Sequence, residues 1–158
     1  MFGVEAMTVK YQQEFLDSVV DDAKGLLESH WEEIALNKDK IKINPDWDTY
    51  YALQDQGKLH IFTARDEGAL VGYFVVFVSQ HIHYKDHLFA NNDLIYLSPS
   101  YRKGFTGIKL IKFAESCLKE DGVSILTVNT KNHKPFHNIM RYLGFSSSET
   151  LYSKYIGD

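Results

Sequence analysis

The chain has 158 residues, 44% of them hydrophobic and 14% aromatic, which is enough apolar material for one packed domain and too much for a disordered chain. Lys and Arg number 17 against 21 Asp and Glu, a net charge of −4, so no basic excess exists to hold a nucleic-acid backbone. The one cysteine, Cys117, excludes an internal disulfide, and no apolar run approaches the roughly 18 residues of a membrane span.

The opening residues lack a basic region followed by an apolar run, so the expectation is a cytoplasmic protein, a single domain over 1–158 with no membrane and no nucleic-acid partner. No repeat, linker tract or block of like charge divides the chain. Residues 8–12 suit a short first strand. Phe15, Val19, Ala23, Leu26, Leu27, His30, Trp31 and Ile34 then recur at spacings of three and four, a helical stripe that is continuous or broken at Gly25. Asn44-Pro45-Asp46 stops the chain and restarts it as a second helix, which runs to Gly57.

Residues 58–65 and 69–78 read as two strands joined by the Asp66-Glu67-Gly68 turn, a hairpin. A short strand over 93–97, a helix over 104–120 with Leu110, Ile111, Ala114 and Leu118 inward, and a strand over 123–128 make a parallel crossover. A last helix over 135–143 ends at Gly144, and 145–156 holds one or two final strands. This order predicts a mixed α/β fold, three layers α/β/α around a mostly antiparallel sheet with one parallel crossover.

The segment that carries chemistry is Leu97-Ser98-Pro99-Ser100-Tyr101-Arg102-Lys103-Gly104-Phe105-Thr106-Gly107, between a strand and a long amphipathic helix. A helix start leaves unpaired N–H groups and a partial positive charge, glycines admit close approach, and Arg102 and Lys103 add full charges, so the place suits a phosphate group. A plain strand-to-helix turn shaped by its glycines would show the same spacing. The P-loop pattern fails, because Gly104 and Gly107 are too close and Ile108-Lys109 follows. A dinucleotide fingerprint fails too, because the next strand runs into Asn129 and Thr130 instead of an acidic residue.

These residues resemble the GNAT superfamily of acyl-CoA-dependent N-acetyltransferases over about residues 58–156. A family pattern of the form V-x-P-x-Y-R-x-x-G-x-G/A is matched at Leu97, Pro99, Tyr101, Arg102 and Gly107, while Phe105 takes the place of the first glycine and Gly104 lies one position early. Downstream, N-H-K-P-F-H-N-I-M-R-Y-L-G-F is similar to the N-x-x-A-x-x-L-Y-x-K-L-G-F ending. There Met140 sits where many members carry a tyrosine proton donor, and His133 replaces the usual asparagine with Asn132 just before it. The HWEE run at 30–33 further resembles small phage and bacterial members.

The resemblance implies transfer of an acetyl group from acetyl-CoA, a co-substrate, to a primary amine. It implies cofactor contacts from Leu97, Arg102, Lys103, Gly104, Phe105, Thr106, Gly107 and Asn132, and an oxyanion donor at the Leu97 main-chain N–H. A catalytically silent acyl-CoA-binding or protein-interaction module on the same fold is the alternative, and a homodimer is left open. An alkyl ammonium near pKa 10 needs a proton acceptor. Asp93 is the first candidate, since many members carry an acidic residue four places before the Leu97 position and strand alternation puts the two on one face. A strand-entry Asp capping the turn after Asn91-Asn92 would look identical. Glu33 is the second candidate, beside the plainer reading of a solvated helix face.

The acid for the departing thiolate is left open among Tyr142, Tyr152 and Tyr155. His81, His83 and His87, and His133 with His137, have spacings that zinc can use, but no clustered carboxylates or cysteines accompany them, so no metal is expected. Cys117 lies on the inward face of its helix and reads as packing.

Overall fold

The computed structural model describes residues 8–158; residues 1–7, part of the opening stretch in which no leader is expected, lie outside them. In chain order the elements are β1 (Val9–Glu14), α1 (Leu16–Ile34), α2 (Trp47–Asp55), β2 (Leu59–Asp66), β3 (Ala69–His81), β4 (Tyr84–Leu97), a 3-10 turn (Pro99–Tyr101), α3 (Thr106–Glu120), β5 (Val123–Thr127) and α4 (His137–Tyr142). The sheet order is β1-β2-β3-β4-β5, antiparallel through β4, with β5 parallel to β4. A helix of crossover length makes that last pair possible, as the sequence order predicted.

The two sheet faces are covered separately, which makes the three layers. On one face Phe62, Ala64, Val71, Phe74, Val76 and Ala90 pack against Leu110, Ala114 and Leu118 of α3. On the other, Ile61, Tyr73, Val75 and Tyr96 pack against Leu16, Val19 and Leu27 of α1, with Trp47 and Tyr50 of α2 beside them. Residues 71–76 are buried without a gap because β3 is central and covered on both sides. Cys117 joins the α3 layer as packing, and burial raises its thiol pKa.

The α1 helix runs unbroken through Gly25. Nothing stands within 4 Å of a Cβ added there, so Gly25→Ala is expected to stabilise the fold by about 0.5–1 kcal/mol through chain entropy alone, read as a higher urea midpoint. The α2 start is where the proline signal put it, with the Asp46 carboxylate accepting the Thr49 N–H at 3.0 Å.

Two expectations are corrected. The strand expected over 93–97 is only the end of β4, which begins at Tyr84 and pairs with β3 out to His81. Its first four residues, Tyr84 to His87, are exposed, with Ile82 at the hairpin tip 94% exposed, so no burial pattern marks the start of this strand in the sequence. The final strands expected over 145–156 are absent: the segment makes no ladder, and Leu151, Tyr152 and Ile156 are almost wholly exposed. Alternation sets which face a strand would bury, but a strand also needs a partner edge, and this segment has none.

Candidate active site

The β4–β5 ladder begins at Leu88↔Val123 and stops at Asn91↔Thr127, while β4 continues to Leu97 with β3 alone beside it. Side chains close the ladder's end: Thr127 Oγ1 donates to Asn91 Oδ1 at 2.7 Å, and the Asn129 N–H donates to Asn92 Oδ1 at 2.7 Å. Beyond them no described strand pairs with this edge of β4, which leaves a gap in the sheet's pairing. The Ser98 N–H bonds the Val71 carbonyl at 2.8 Å, so by alternation Tyr96 and Leu94 turn their main-chain groups to β3, and Ile95 and Leu97 turn theirs into the gap. An extended ligand with amide groups can pair there as a strand would.

Gly72 sets how tightly this end is built. A Cβ on it would stand 2.7 Å from Leu97 Cδ1 and 3.0 Å from the Tyr96 carbonyl oxygen, so only glycine lets β3 approach here.

The gap leads to the start of α3. Among the described residues, no main-chain N–H from Lys103 through Ile108 has a hydrogen-bond partner, and no side chain caps the helix. This is a run of donors at the positive end of a helical dipole, a cradle for an anionic group. The loop is pinned from behind by the Tyr101 hydroxyl, which donates to Asp66 at 2.5 Å, and by the buried Thr106 hydroxyl, bonded to Tyr11. The displaced glycine has a simple reason. The one left-handed residue of the loop is Gly104, φ +87°, whereas Phe105 sits at φ −108°, a value open to any residue. Gly107 keeps the cradle's floor open: its absent Cβ would lie 3.6 Å from Leu97 Cδ2.

The expected catalytic residues are placed differently from one another. Register shifts between Val75 and Val76, so Asp93 is an extra residue of β4 with no opposite partner, a bulge. The alternation expected to put Asp93 and Leu97 on one face therefore fails. Leu97 points its side chain at Gly107 on the α3 side, whereas Asp93 accepts a hydrogen bond from the Tyr50 hydroxyl of α2 on the other side. Burial raises the Asp93 pKa, and the Tyr50 hydroxyl only partly opposes this.

Glu33 is not a free carboxylate. Arg102 grips it with two bonds of 2.6 Å, and these, against a smaller effect of burial, hold its pKa below the ordinary range. A carboxylate so engaged is a poor base. The same contact holds Arg102, the residue expected at the cofactor. Its guanidinium turns from the α3 start to Glu33, to the Leu97 carbonyl at 2.7 Å and over the Tyr96 ring at 5.5 Å, because a buried-edge carboxylate and a free carbonyl offer it fixed partners. Lys103 is exposed beside the cradle, and Asn132 is exposed in the turn between Lys131 and Lys134.

The residues missed in the sequence are aromatic and imidazole groups on the α1/α2 face. His30 is 3% exposed, its Nδ1 lies 2.8 Å from the Tyr73 hydroxyl, and its ring stacks on Tyr96 at 4.9 Å. Burial lowers its pKa to about 4, so the ring is neutral at pH 7. The only hint was the helical stripe, in which His30 took a place normally held by an apolar residue.

Of the three tyrosines weighed as acids, Tyr142 and Tyr152 are exposed and Tyr155 donates to the Asp158 main-chain oxygen at 3.2 Å. Met140 is buried and offers no proton. Among the described residues no three His, Cys, Asp or Glu side chains gather as metal ligands, and no helix is long and apolar enough to cross a membrane.

The model of the acetyltransferase (GNAT) family matches residues 23–145. The chain belongs to this family. No protein of curated function matches the sequence. Among solved structures, the chain is similar to an aminoglycoside acetyltransferase from an uncultured soil metagenomic sample in complex with trehalose, at 16% identity and TM-score 0.75, over 96% of this chain and 97% of that one. It is also similar to glucosamine-6-phosphate N-acetyltransferase from Arabidopsis thaliana, at 14% identity and TM-score 0.70, over 95% and 99%. A predicted acetyltransferase from Clostridium acetobutylicum with acetyl-CoA aligns at 10% identity and TM-score 0.66, over 93% and 96%. At such identities the GNAT fold is what these structures share with the chain.

Proposed function

We propose that this GNAT protein transfers an acetyl group from acetyl-CoA directly to a primary amine of a small molecule or protein. The observation that carries the reading is the run of free N–H groups from Lys103 to Ile108 at the end of an unpaired strand edge. A diphosphate fits the first and an acyl-bearing arm with amides fits the second, and in this reading the thioester lies beside Ile95 and Leu97. Their N–H groups are the donors for the oxygen that gains charge when the amine attacks.

The reaction releases two protons from nitrogen. An alkyl ammonium loses one before it can attack, and the adduct loses another as the C–N bond is completed; the C–S bond breaks with its electron pair on sulfur, which takes up one proton. Asp93, desolvated and held by Tyr50, accepts the first. The amine panel that tests this includes an aminoglycoside, glucosamine 6-phosphate and a peptide with a free amino terminus, with thiol release from acetyl-CoA as the signal. Amine-dependent release is expected.

Two observations favour the second reading, a silent acyl-CoA-binding module: Met140, at the position where the family pattern carries a tyrosine, is buried and offers no proton, and Arg102 bonds the Leu97 carbonyl at the gap. Calorimetry with acetyl-CoA separates them. Binding without turnover on the panel supports the module, and no binding overturns both.

A further inference from the structure

The second nitrogen proton and the proton needed by sulfur have no carrier among the residues named so far, since Glu33 is bound by Arg102 and Met140 cannot donate. We propose that His30 is that carrier: its Nε2 takes the proton from the adduct nitrogen and delivers it to the departing sulfur, while Nδ1 is held by the Tyr73 hydroxyl. The inference rests on the acetyltransferase reading and adds a catalytic group to it.

The geometry singles out one nitrogen. Nδ1 is engaged at 2.8 Å by Tyr73. Nε2 has no partner among the described residues, and it is not fully sealed as Asp66 Oδ1 is, so this nitrogen keeps a little accessible surface. The ring that hides the rest of His30 is Tyr96, the residue between Ile95 and Leu97, whose N–H groups face the gap. Arg102 lies over the same ring and bonds the Leu97 carbonyl, so the His30 ring lies one side chain, Tyr96, away from the strand edge proposed for the thioester.

The surroundings suit a shuttle better than a first base. The groups facing His30 are Glu33 on its own helix, Arg102 after β4, Lys131 from the turn beyond β5, and the phenols of Tyr73 and Tyr96. Burial, with Arg102 and Lys131 adding to it against Glu33, keeps the ring neutral and makes its protonated form a strong acid. The first proton is assigned to Asp93, which leaves the imidazole the later one. It can take a proton from a nitrogen that has bonded to the thioester carbon, which is far more acidic, and it gives that proton readily to a thiolate. In the step, the adduct's N–H bond breaks to Nε2, the C–S bond breaks with its electrons on sulfur, and the Nε2–H passes to sulfur. The ring returns neutral and coenzyme A leaves as the thiol.

Two measurements test this. A long-range nitrogen–proton spectrum of the wild-type protein is expected to show His30 as the Nδ1–H tautomer, with Tyr73 accepting; an Nε2–H tautomer overturns the proposal. His30→Asn keeps a donor near the Tyr73 oxygen and removes the shuttle. Its kcat on an amine turned over by the wild type is expected to fall about a hundredfold or more, with the acetyl-CoA dissociation constant unchanged. Wild-type kcat in that variant overturns the proposal. Should His30→Asn fail to fold, Tyr73→Phe preserves the ring packing and is expected to lower kcat about tenfold, and an unaltered kcat counts against the shuttle. If the wild type binds acetyl-CoA but turns over no amine, the shuttle fails with the transferase reading; activity retained in both variants sinks the shuttle alone.

Discussion

Asp93→Asn is expected to lower kcat/KM by about a hundred- to ten-thousandfold while acetyl-CoA binds as before, because the variant keeps an acceptor for the Tyr50 hydroxyl and loses only the ability to take a proton. The fold should not suffer. Burial raises the Asp93 pKa, so its contribution to stability is present below the unfolded value near 3.9 and is lost as pH rises through the higher folded value. At neutral pH the wild type therefore carries a desolvated charge that asparagine lacks, and Asp93→Asn melts no lower than the wild type. The same raised pKa sets the wild-type rate profile: kcat/KM falls on the acid side at a pH above the ordinary carboxylate range, and the variant shows no such limb. Full activity in Asp93→Asn would return Asp93 to the role of a strand-entry residue tied to α2.

Gly107→Glu is the matching test of the cofactor cradle. The absent Cβ meets only Leu97 Cδ2, at 3.6 Å, and the residue is helical without a positive φ, so a Cβ fits without moving the backbone. A glutamate in the first turn of α3 is favourable for the helix by about 0.3–1 kcal/mol. Facing a diphosphate, the same charge is repulsive by several kcal/mol, so the dissociation constant for coenzyme A is expected to rise by about a hundredfold or more. Stability and affinity thus move in opposite directions, which a general loss of structure cannot imitate. Calorimetry and a urea melt on one preparation read both, and unchanged affinity would mean that the phosphates lie elsewhere.

Much of this was legible in the residues. The hairpin and the α3 stripe are local patterns and formed where their periodicity put them, as did the loop from Leu97 to Gly107; the crossover has the expected order, but β5 pairs with residues 88–91 of β4, before the strand expected over 93–97. What was not legible depended on geometry between distant segments. The bulge at Asp93 cannot be read from alternation, since the sequence does not say which strand residue lacks a partner, and it carries Asp93 to the α2 side. The Glu33–Arg102 pair joins residues far apart in the chain, so each looked free when taken alone. His30 reads as one more member of a helical stripe until Tyr73 and Tyr96 are brought against it by the sheet. The tail at 145–156 shows the opposite error, a good strand pattern with no edge to complete it.

The most direct test of the account is an amide NMR titration of the protein with coenzyme A. The largest shifts are expected at residues 103–108, where donors stand unpaired, with a second set at Ile95 and Leu97 along the open edge of β4. Saturable binding that leaves the amides of 103–108 unmoved, or no binding at all, would contradict the claim that this helix start holds the diphosphate of an acyl donor.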